Sequence, residues 1–364
     1  MAIKLLYITN GITGAGGLER VLSIKANYFA ENYEYEVHIL TLNEIGKIPF
    51  YIFSENLKIH SIEYTGIKSY ITGIRGKIAE ISPDIISVCD DGLKGFFLPK
   101  LLKKGGVKII YERHASINMN TNTSFKGRII KVLMRQLATK FDKFVVLTNS
   151  NIKEWKTENI IAISNPLSFS TDKTSTLQNK KVIAVGSHSY NKGYDLLLTI
   201  WKTIEKNNLD WELEIYGKFD ANQTFIKQSK HLQLRNVHFY EPVQYVQSKY
   251  LDASILVLPS RSEGFGMVLI EAMSCGVPCV SFDCPSGPVD IINNNKDGFL
   301  IEPENINQFY ECLQSLINNI SLRKEMGMNA KENVRRFDPK VIVQQWDDLF
   351  KQLLNEKKGN NSFS

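Results

Sequence analysis

The stretch ASILVLPSRSEGFGMVLIEAMSCGVPCVSF, residues 253–282, contains the pattern that decides the fold. Its two ends, 253–259 and 277–282, are short apolar runs rich in β-branched residues, and such runs are typical of buried strands. Between them we expect a helix that starts near Met267 and runs through Met273. Strand, helix and strand in this order predict a β-α-β unit, which joins two parallel strands of one sheet.

The same alternation of short apolar runs and longer helical segments extends along nearly the whole chain. The runs that we interpret as strands fall into two series: 3–9, 36–42, 84–89, 107–112 and 143–148, then 181–186, 212–217, 236–241, 253–259 and 277–282. At 364 residues the chain is also longer than one hydrophobic core usually supports. The sequence therefore predicts an α/β protein with two doubly wound, Rossmann-like domains.

Polar residues without a hydrophobic period separate the two series. We interpret 166–180 as a linker between a first domain, 1–165, and a second domain, 181–338. The last segment, 339–358, has apolar residues at helical spacing and predicts one further helix. That helix either caps the second domain or crosses back onto the first one.

The composition excludes several classes of protein. The chain has 44 basic and 38 acidic side chains, and its net charge of +6 suits an anionic ligand or membrane surface but is too small to indicate nucleic acid. The five cysteines show no ligand spacing, so we expect a reduced protein without structural zinc. No run approaches the ~20 apolar residues of a membrane span, and the first apolar run is too short for a signal peptide. We therefore expect a cytoplasmic protein, either in solution or on the inner membrane face.

Two glutamates, Glu263 and Glu271, stand on either side of the predicted helix start. The first turn of a helix presents unpaired N–H groups and partial positive charge, so it binds anions. Gly264 and Gly266 let a ligand approach the backbone there. The Glu271 side chain leans back toward that turn, and Glu263 supplies a second acceptor from the loop. An anion between two acceptors for hydroxyl groups describes a nucleotide sugar.

In that interpretation the diphosphate binds at the helix start, Glu271 accepts from the ribose hydroxyls and Glu263 accepts from the hydroxyls of the sugar. The alternative is that Glu271 is a solvent-exposed helix residue and that Glu263 is a loop residue beside Arg261. Two carboxylates eight positions apart also occur by chance, so the spacing alone does not decide between the two.

The order of these elements resembles a known family. Ser-Glu-Gly-Phe-Gly at 262–266, followed by Glu-Ala-Met at 271–273 and Gly-Val-Pro at 276–278, is similar to the donor-site signature of the family 4 (group 1) retaining glycosyltransferases. Further similar segments are ITGAGGLERVL (12–22), ERHAS (112–116), SNPL (164–167) and VGSHSYNKGYDLLLTIW (185–201). The resemblance covers about residues 3–338, and it implies the GT-B fold, in which two Rossmann-like domains face a central cleft.

The resemblance also implies which residues bind the donor and which take part in the reaction. Those expected at the donor are Gly16, Gly17, Ser187, Lys192, Glu263, Gly264, Phe265, Gly266, Met267, Val268 and Glu271. Those expected to be catalytic are His114, Lys192 and Glu263. Without the resemblance, His114 would be interpreted as a packed or surface histidine.

One position departs from the family pattern. After Gly186 the family commonly has an arginine that holds the donor diphosphate together with a lysine, and this chain has Ser187 there, while Lys192 remains. Either Lys192 and the helix dipole suffice, or His188 or another cation replaces the arginine. We expect no metal and no cofactor, because Lys192 and the first N–H groups of the helix would stabilise the charge of the leaving diphosphate.

A basic segment in the first domain bears on membrane contact. Residues 125–143 predict an amphipathic helix with these cations: Lys126, Arg128, Lys131, Arg135, Lys140 and Lys143. Its charged side is either an ordinary solvated face or a surface for anionic lipid headgroups or a lipid-linked diphosphate acceptor.

The function that the resemblance implies is transfer of a hexosyl or N-acetylhexosaminyl group from a nucleotide-diphosphate sugar, commonly a UDP-sugar, with retention at the anomeric carbon. The acceptor would be the hydroxyl of a glycan or a lipid-linked glycan in the biosynthesis of surface polysaccharide, capsule, lipopolysaccharide or glycolipid. Two other functions stay open from the sequence: a non-catalytic protein that binds nucleotide sugars, and a nucleotide-sugar epimerase of the same fold.

Overall fold

The computed structural model describes residues 2–90, 92–102, 106–117 and 125–361. The chain divides into two units. Unit 2 is Phe169–Asp338, and unit 1 consists of the residues before and after it.

The elements of unit 1 that precede unit 2 alternate between strand and helix along most of their length. They are β1 (Ile3–Thr9), α1 (Gly17–Asn32), β2 (Tyr35–Leu42), β3 (Lys58–Ile62), α2 (Ile67–Ile81), β4 (Ile85–Cys89), α3 (Leu98–Leu102), β5 (Lys108–Arg113), α4 (Phe125–Ala138), β6 (Lys143–Val146), α5 (Asn149–Ile152) and β7 (Ile160–Ala162). The strands form one parallel sheet in the order β3-β2-β1-β4-β5-β6-β7.

Unit 2 repeats the alternation. Its elements are β8 (Lys181–Val185), α6 (Tyr194–Asn207), β9 (Glu212–Tyr216), α7 (Thr224–His231), β10 (Val237–Tyr240), α8 (Gln247–Asp252), β11 (Ile255–Leu258), α9 (Met267–Ser274), β12 (Cys279–Phe282), α10 (Pro288–Ile291), β13 (Gly298–Ile301), α11 (Ile306–Asn318) and α12 (Ile320–Asn333). The parallel sheet has the order β10-β9-β8-β11-β12-β13. The chain returns to unit 1 as α13 (Pro339–Asn361). Within the described residues, no helix combines the length and the apolar character needed to cross a membrane.

The apolar runs become the central strands of both sheets. Leu5 of β1 pairs with Val37 of β2 on one side and with Ile85 of β4 on the other. Every residue of β4 and of β11 is buried, as expected for parallel strands that are covered on both faces. The predicted class, two doubly wound parallel sheets, is therefore confirmed.

Three strands were not predicted: β3, β7 and β13. Each lies at the edge of its sheet, where only one neighbour covers it. Their sequences are short and, in β3, partly polar: KIHSI, IIA and GFLI. β7 and β13 are only three and four residues long, and β3 mixes polar and apolar residues, so none of them contains the longer apolar run by which the other strands were identified.

The basic helix is shorter than the predicted 125–143. α4 ends at Ala138, where Lys140 and Phe141 turn back by hydrogen bonds to Leu137 and Ala138. Phe141 is buried, and Lys143 begins β6. The prediction of a helix through 143 is wrong, because the need to bury Phe141 and to enter the sheet overrides the helical spacing.

Most of the predicted linker, 166–180, is packed on unit 2. Ser175 donates from its backbone N–H to the carbonyl of Cys275 at 2.8 Å and from its hydroxyl to the carbonyl of Ala253 at 2.6 Å. Leu177 is buried and its carbonyl accepts from the guanidinium of Arg323. The division of the chain therefore falls between Ser168 and Phe169, at the start of the polar stretch.

The C-terminal helix, α13, packs against α1 within unit 1. The Phe350 ring lies 5.5 Å from that of Phe29 between centroids, and both side chains are fully buried. Tyr35 donates to the Asp347 carboxylate at 2.8 Å, and the Lys25 ammonium lies 4.0 Å from the centre of the Trp346 ring. The apolar face that the sequence indicated thus covers the first domain.

Phe350→Ala should lower the free energy of unfolding by about 3–5 kcal/mol, because loss of this buried ring leaves a cavity against Phe29. Val341→Ala, on the same helix but 44% exposed, is the matched control and should change that free energy by no more than ~0.5 kcal/mol. Denaturant unfolding followed by circular dichroism measures both variants. A change as small as that of the control in Phe350→Ala would show that the packing of this ring on Phe29 does not stabilise unit 1.

Candidate functional site

The candidate site of unit 2 lies where the strand order reverses. β8 and β11 are neighbours, and the chain moves outward from β8 to β9 on one side and from β11 to β12 on the other. In open α/β sheets, ligands bind at the carboxyl ends of the strands at such a point. The loops after these strands, 186–193 and 259–266, contain Ser187, Lys192 and the predicted residues that precede α9.

Backbone contacts hold the loops of this edge together. At Gly193, which has a φ of +64°, a Cβ would lie 1.9 Å from the carbonyl oxygen of Pro259. At Gly287, in the loop after β12 and with a φ of +107°, a Cβ would lie 2.1 Å from the carbonyl oxygen of Phe265. Neither position accommodates a side chain. The loops after β8, β11 and β12 therefore pack backbone to backbone.

The start of α9 has the geometry of an anion-binding helix end. Gly266 precedes the helix with a φ of +101°, and Met267 and Val268 form its first, half-buried turn. N–H groups in that turn have no carbonyl partner within the helix. Phe265 is buried against Phe337, at 5.6 Å between ring centroids, while Gly264 is half-buried.

Lys192 and Glu263 form an ion pair, with 2.7 Å between Nζ and Oε1. Lys192 ends a 3₁₀ turn, Tyr190–Lys192, and Glu263 lies in the loop after β11. Both side chains are largely shielded, at 21% and 10% exposure. The structure thus brings a cation and a carboxylate that the resemblance implicated into direct contact.

Two further side chains surround this pair. The Tyr194 hydroxyl donates to the carbonyl of Gly186 at 3.0 Å, and burial and the charge of Glu263 raise its pKa. Burial also raises the pKa of the Cys284 thiol, and Glu263 adds to that effect while Lys192 opposes it. Cys284 is therefore an inert, protonated thiol. Neither residue was predicted: Tyr194 is the first residue of α6, two positions after Lys192, and Cys284 lies in the loop after β12.

Glu271 is fully buried and accepts a hydrogen bond from the Tyr250 hydroxyl at 3.0 Å. Tyr250 lies on α8 and is itself fully buried. The alternative in which Glu271 is solvent-exposed is wrong, because α9 is covered on this side. The carboxylate is held within the unit as a fixed acceptor, and its partner Tyr250 gave no signal in the sequence.

His188 does not supply the missing positive charge. It is 4% exposed, and neither of its ring nitrogens has a hydrogen-bond partner among the described residues. Burial lowers its pKa, although Asp220 and Glu241 act to raise it. Aromatic rings surround it at centroid distances of 4.9–5.9 Å: Tyr194, Phe219, Phe225 and Phe239. The interpretation of His188 as a phosphate-binding cation is therefore wrong, while Ser187 beside it is exposed.

The glycine-rich loop of unit 1 is fixed by two glutamates. The Glu44 carboxylate accepts from the backbone N–H of Ile12 at 2.8 Å and from the Thr13 hydroxyl at 2.5 Å. The Glu19 carboxylate folds back over Gly16, whose Cβ would lie 2.4 Å from it, whereas nothing lies within 4 Å of a Cβ on Gly17. The absence of a side chain at Gly16 thus makes room for the Glu19 carboxylate. Of these two glycines, Gly17 is the one with open space beside it for a ligand. The sequence did not predict the role of Glu44.

His114 follows β5, and its Nε2 lies 3.4 Å from the Glu112 carboxylate. Glu112 is buried, contacts the buried Lys25 ammonium and accepts from the Ser87 hydroxyl at 2.5 Å. Burial acts to raise the pKa of Glu112, but Lys25 and His114 outweigh it and lower that pKa to about 2. His114 therefore stands beside a carboxylate that is ionised at neutral pH.

Cys89, Glu112 and His114 offer ligand atoms within 4.8 Å of one another, a separation that would suit a metal ion. The Lys25 ammonium contacts the same carboxylate, however. A metal ion at these atoms would compete with that ammonium for the carboxylate, and an ammonium left buried without its partner is costly. These residues fit a buried ion-pair network better than a metal site.

Comparison with known proteins identifies relatives of the whole chain. The family model described as "Glycosyl transferases group 1" matches residues 169–333, nearly all of unit 2. An uncharacterized glycosyltransferase of Haemophilus influenzae is 31% identical over 359 residues, which are 95% of this chain and 99% of that protein. The amylovoran biosynthesis glycosyltransferase AmsD of Erwinia amylovora is 28% identical over 361 residues, with the same shares covered.

Solved structures share the fold. The sucrose-phosphate synthase of Thermosynechococcus elongatus superposes with a TM-score of 0.82 at 17% identity, covering 97% of this chain and 100% of that one. Anabaena HepE in complex with UDP-glucose gives a TM-score of 0.78 at 16% identity, covering 96% and 100%. At these identities the likeness shows the fold alone, and it confirms the predicted GT-B class. Because the H. influenzae glycosyltransferase aligns with almost the whole chain at 31% identity, this enzyme belongs to the glycosyltransferases, and its second unit matches the group 1 family model.

Proposed function

We propose that this glycosyltransferase is of the family 4 retaining type. It moves a hexosyl or N-acetylhexosaminyl group from a nucleoside-diphosphate sugar, with UDP the favoured carrier, to a hydroxyl of a glycan or lipid-linked glycan. The observation that carries the proposal is the Lys192–Glu263 pair, 2.7 Å apart, in the crevice where the strand order of unit 2 reverses. A cation for a diphosphate and an acceptor for sugar hydroxyls are what this donor requires.

The demanding step is departure of the nucleoside diphosphate from a carbon with oxocarbenium character. Lys192 and the first N–H groups of α9 stabilise the charge that grows on the leaving phosphate. When a diphosphate shares the Lys192 ammonium, Glu263 has lone pairs available for the sugar hydroxyls. The leaving phosphate accepts the proton of the attacking hydroxyl on the same face, which gives retention. His114 contacts the transferred sugar near the reacting carbon.

The nature of donor and acceptor is supported by the proteins to which the chain is similar. HepE was solved with UDP-glucose, and AmsD is named for the biosynthesis of amylovoran. The mild positive charge of the chain, +6, suits an anionic donor and an anionic acceptor. Assembly of a surface polysaccharide, capsule, lipopolysaccharide or glycolipid is the process that fits both.

Peripheral contact with the inner membrane face is the location we propose. On α4, the apolar residues Phe125, Ile129 and Val132 are exposed at 78%, 53% and 55%, and Lys126 and Arg128 are exposed beside them. An apolar stripe flanked by cations suits a surface of anionic lipid. A further cation of that prediction, Arg135, is held instead by the carbonyl of Glu154 at 2.6 and 3.0 Å.

The nucleotide and the role of Lys192 are tested together. Among UDP, GDP and other nucleoside diphosphates, the one matching the donor should stabilise the protein by about 2.7 kcal/mol at 100 times its dissociation constant, as measured by thermal unfolding. With the corresponding sugar donor, Lys192→Ala should lower kcat by roughly 10²-fold, and by more than it weakens nucleotide binding, because leaving-group charge grows in the transition state.

Lys202→Ala, at an exposed position of α6, is the matched control and should leave kcat unchanged. If none of the nucleoside diphosphates stabilises the protein, that result contradicts the proposed donor. Equal losses of kcat and of binding in Lys192→Ala would reduce Lys192 to a phosphate ligand without a role in the chemistry.

Removal of divalent cations should leave activity unchanged, because the charge of the leaving phosphate is stabilised by Lys192 and by helix N–H groups. The measurement is the initial rate of nucleotide release with EDTA and after adding back Mg²⁺ or Mn²⁺. Abolished activity that a metal restores would contradict the metal-free mechanism and would show that the donor diphosphate binds through a cation.

The membrane contact predicts co-sedimentation with anionic vesicles at low salt. Each cation near such a surface contributes about 1 kcal/mol, and the attraction should fade when salt shortens the Debye length below ~10 Å. Lys126→Gln/Arg128→Gln should weaken binding through charge, and Phe125→Ser/Ile129→Ser should weaken it through lost insertion.

Lys206→Gln/Lys324→Gln removes two exposed cations of unit 2 and is the control with the same change in net charge. It should sediment like the wild-type protein. If the wild-type protein stays in the supernatant at low salt, α4 is an ordinary solvated helix and the acceptor is met in solution.

A further inference from the structure

Arg261 is a charged residue of the site loop that no step of the proposed reaction uses. It stands two positions before Glu263, and its side chain is 14% exposed. Its side chain donates hydrogen bonds to Tyr190 and Asp195, on either side of Lys192 in the sequence, and to Glu304.

Arg261 contacts the Tyr190–Lys192 turn through both its backbone and its side chain. Its backbone N–H donates to the carbonyl of Asn191 at 2.7 Å, and its Nη1 donates to the carbonyl of Tyr190 at 2.9 Å. The guanidinium also stacks on the Tyr190 ring, 4.1 Å from its centre. The two residues that immediately precede Lys192 are therefore both held by Arg261.

The residues that follow Lys192 are held as well. Nη1 and Nη2 of Arg261 donate to the two carboxylate oxygens of Asp195 at 2.8 and 2.7 Å. Burial acts to raise the pKa of Asp195, but the guanidinium outweighs it and lowers that pKa, so the carboxylate stays ionised. A paired, two-bond contact between Arg and a carboxylate fixes direction as well as distance. Nε of Arg261 donates to Glu304 at 2.8 Å, which leaves the guanidinium little freedom.

These contacts form two parallel links between the same segments. Arg261 joins its loop to Asp195, and Glu263 of that loop joins back to Lys192 at 2.7 Å. Gly193, between Lys192 and Asp195, lies in backbone contact with Pro259. We propose that Arg261 is a positioning residue that sets where the Lys192 ammonium stands, an inference that rests on the proposed role of Lys192 at the donor diphosphate.

The sequence of this chain makes that placement important. Ser187 stands where the resemblance leads one to expect a second cation, and the neighbouring His188 is buried with a lowered pKa. Of the residues predicted to bind the donor, Lys192 is then the one with a positive charge. A displacement of 1 Å can cost on the order of 10²-fold in rate, so a single cation requires a well-fixed support.

The experiment compares binding of UDP with binding of uridine, or of GDP with guanosine if GDP stabilises the protein. Arg261→Met and the charge-preserving Arg261→Lys should each weaken UDP binding by roughly tenfold, because one charge-assisted contact is misplaced. Both should leave the affinity for uridine unchanged, since uridine has no phosphate for Lys192. Calorimetry measures the affinity for UDP, and ligand-observed NMR measures the affinity for uridine.

A double-mutant cycle identifies the route of the effect. If Arg261 acts through Lys192, Arg261→Met should add little to the loss already caused by Lys192→Met. Arg323→Lys is the matched control: Arg323 is also buried and donates to the carbonyls of Leu177, before β8, and of Ile317, in α11. Arg323→Lys should lower the melting temperature, but it should not change the affinity for UDP relative to the affinity for uridine.

The outcomes separate this inference from the proposed function. Additive losses in the cycle, or equal losses of UDP and uridine affinity in Arg261→Lys, would overturn the positioning role. So would unchanged UDP binding in Arg261→Met when Lys192→Met has lost it. If Lys192→Met binds UDP as the wild-type protein does, Lys192 does not contact the bound diphosphate, and that part of the proposed function fails independently of Arg261.

Discussion

The ion pair between Lys192 and Glu263 is the interaction on which the candidate site depends. Each partner is contributed by a different loop, and the loops meet because β8 and β11 are neighbours whose chains leave in opposite directions. The pair satisfies two charged groups that are largely withdrawn from water, and withdrawal without a partner would be costly. In the proposed function, the same two groups bind a ligand that carries negative charge and hydroxyl groups at once.

Two buried charges of unit 1 are also paired with each other. Lys25 and Glu112 are almost fully buried, and they are paired with each other beside Ser87 and His114. The Lys25 ammonium also faces the Trp346 ring, an interaction that suits a desolvated cation. In both units a side chain that the resemblance implicates therefore stands next to a carboxylate: Lys192 beside Glu263, and His114 beside Glu112.

How far the sequence predicts this structure depends on how far apart in the sequence the interacting residues are. Central strands follow from local runs of apolar residues, and a shared sheet edge follows from parallel order, so Lys192 and Glu263 could be expected close together. The partners that hold the predicted residues are distant in sequence: Tyr250 for Glu271 and Lys25 for Glu112. Nothing at residue 250 or 25 indicates these contacts, because they arise only when separate helices pack.

Local patterns also failed where burial competes with them. The helical spacing of 125–143 continues past Ala138, but Phe141 enters the core and ends the helix. The resemblance made His188 a candidate for a cation, and the fold places it among aromatic rings instead. In each case the local pattern is compatible with either outcome, and the tertiary contacts decide.

The position of α13 has a consequence for how the chain folds during synthesis. Unit 1 is completed by the last segment of the chain, since Phe350 and Trp346 cover Phe29 and Lys25. At roughly 5–20 residues per second, the ribosome takes on the order of ten seconds or more to make unit 2 in between. Throughout that interval the nascent first half exposes an apolar surface and an uncovered ammonium. Synthesis of unit 1 begins first, but unit 1 is complete only when α13 has been made. Unit 2 is complete earlier, as soon as Asp338 has been added.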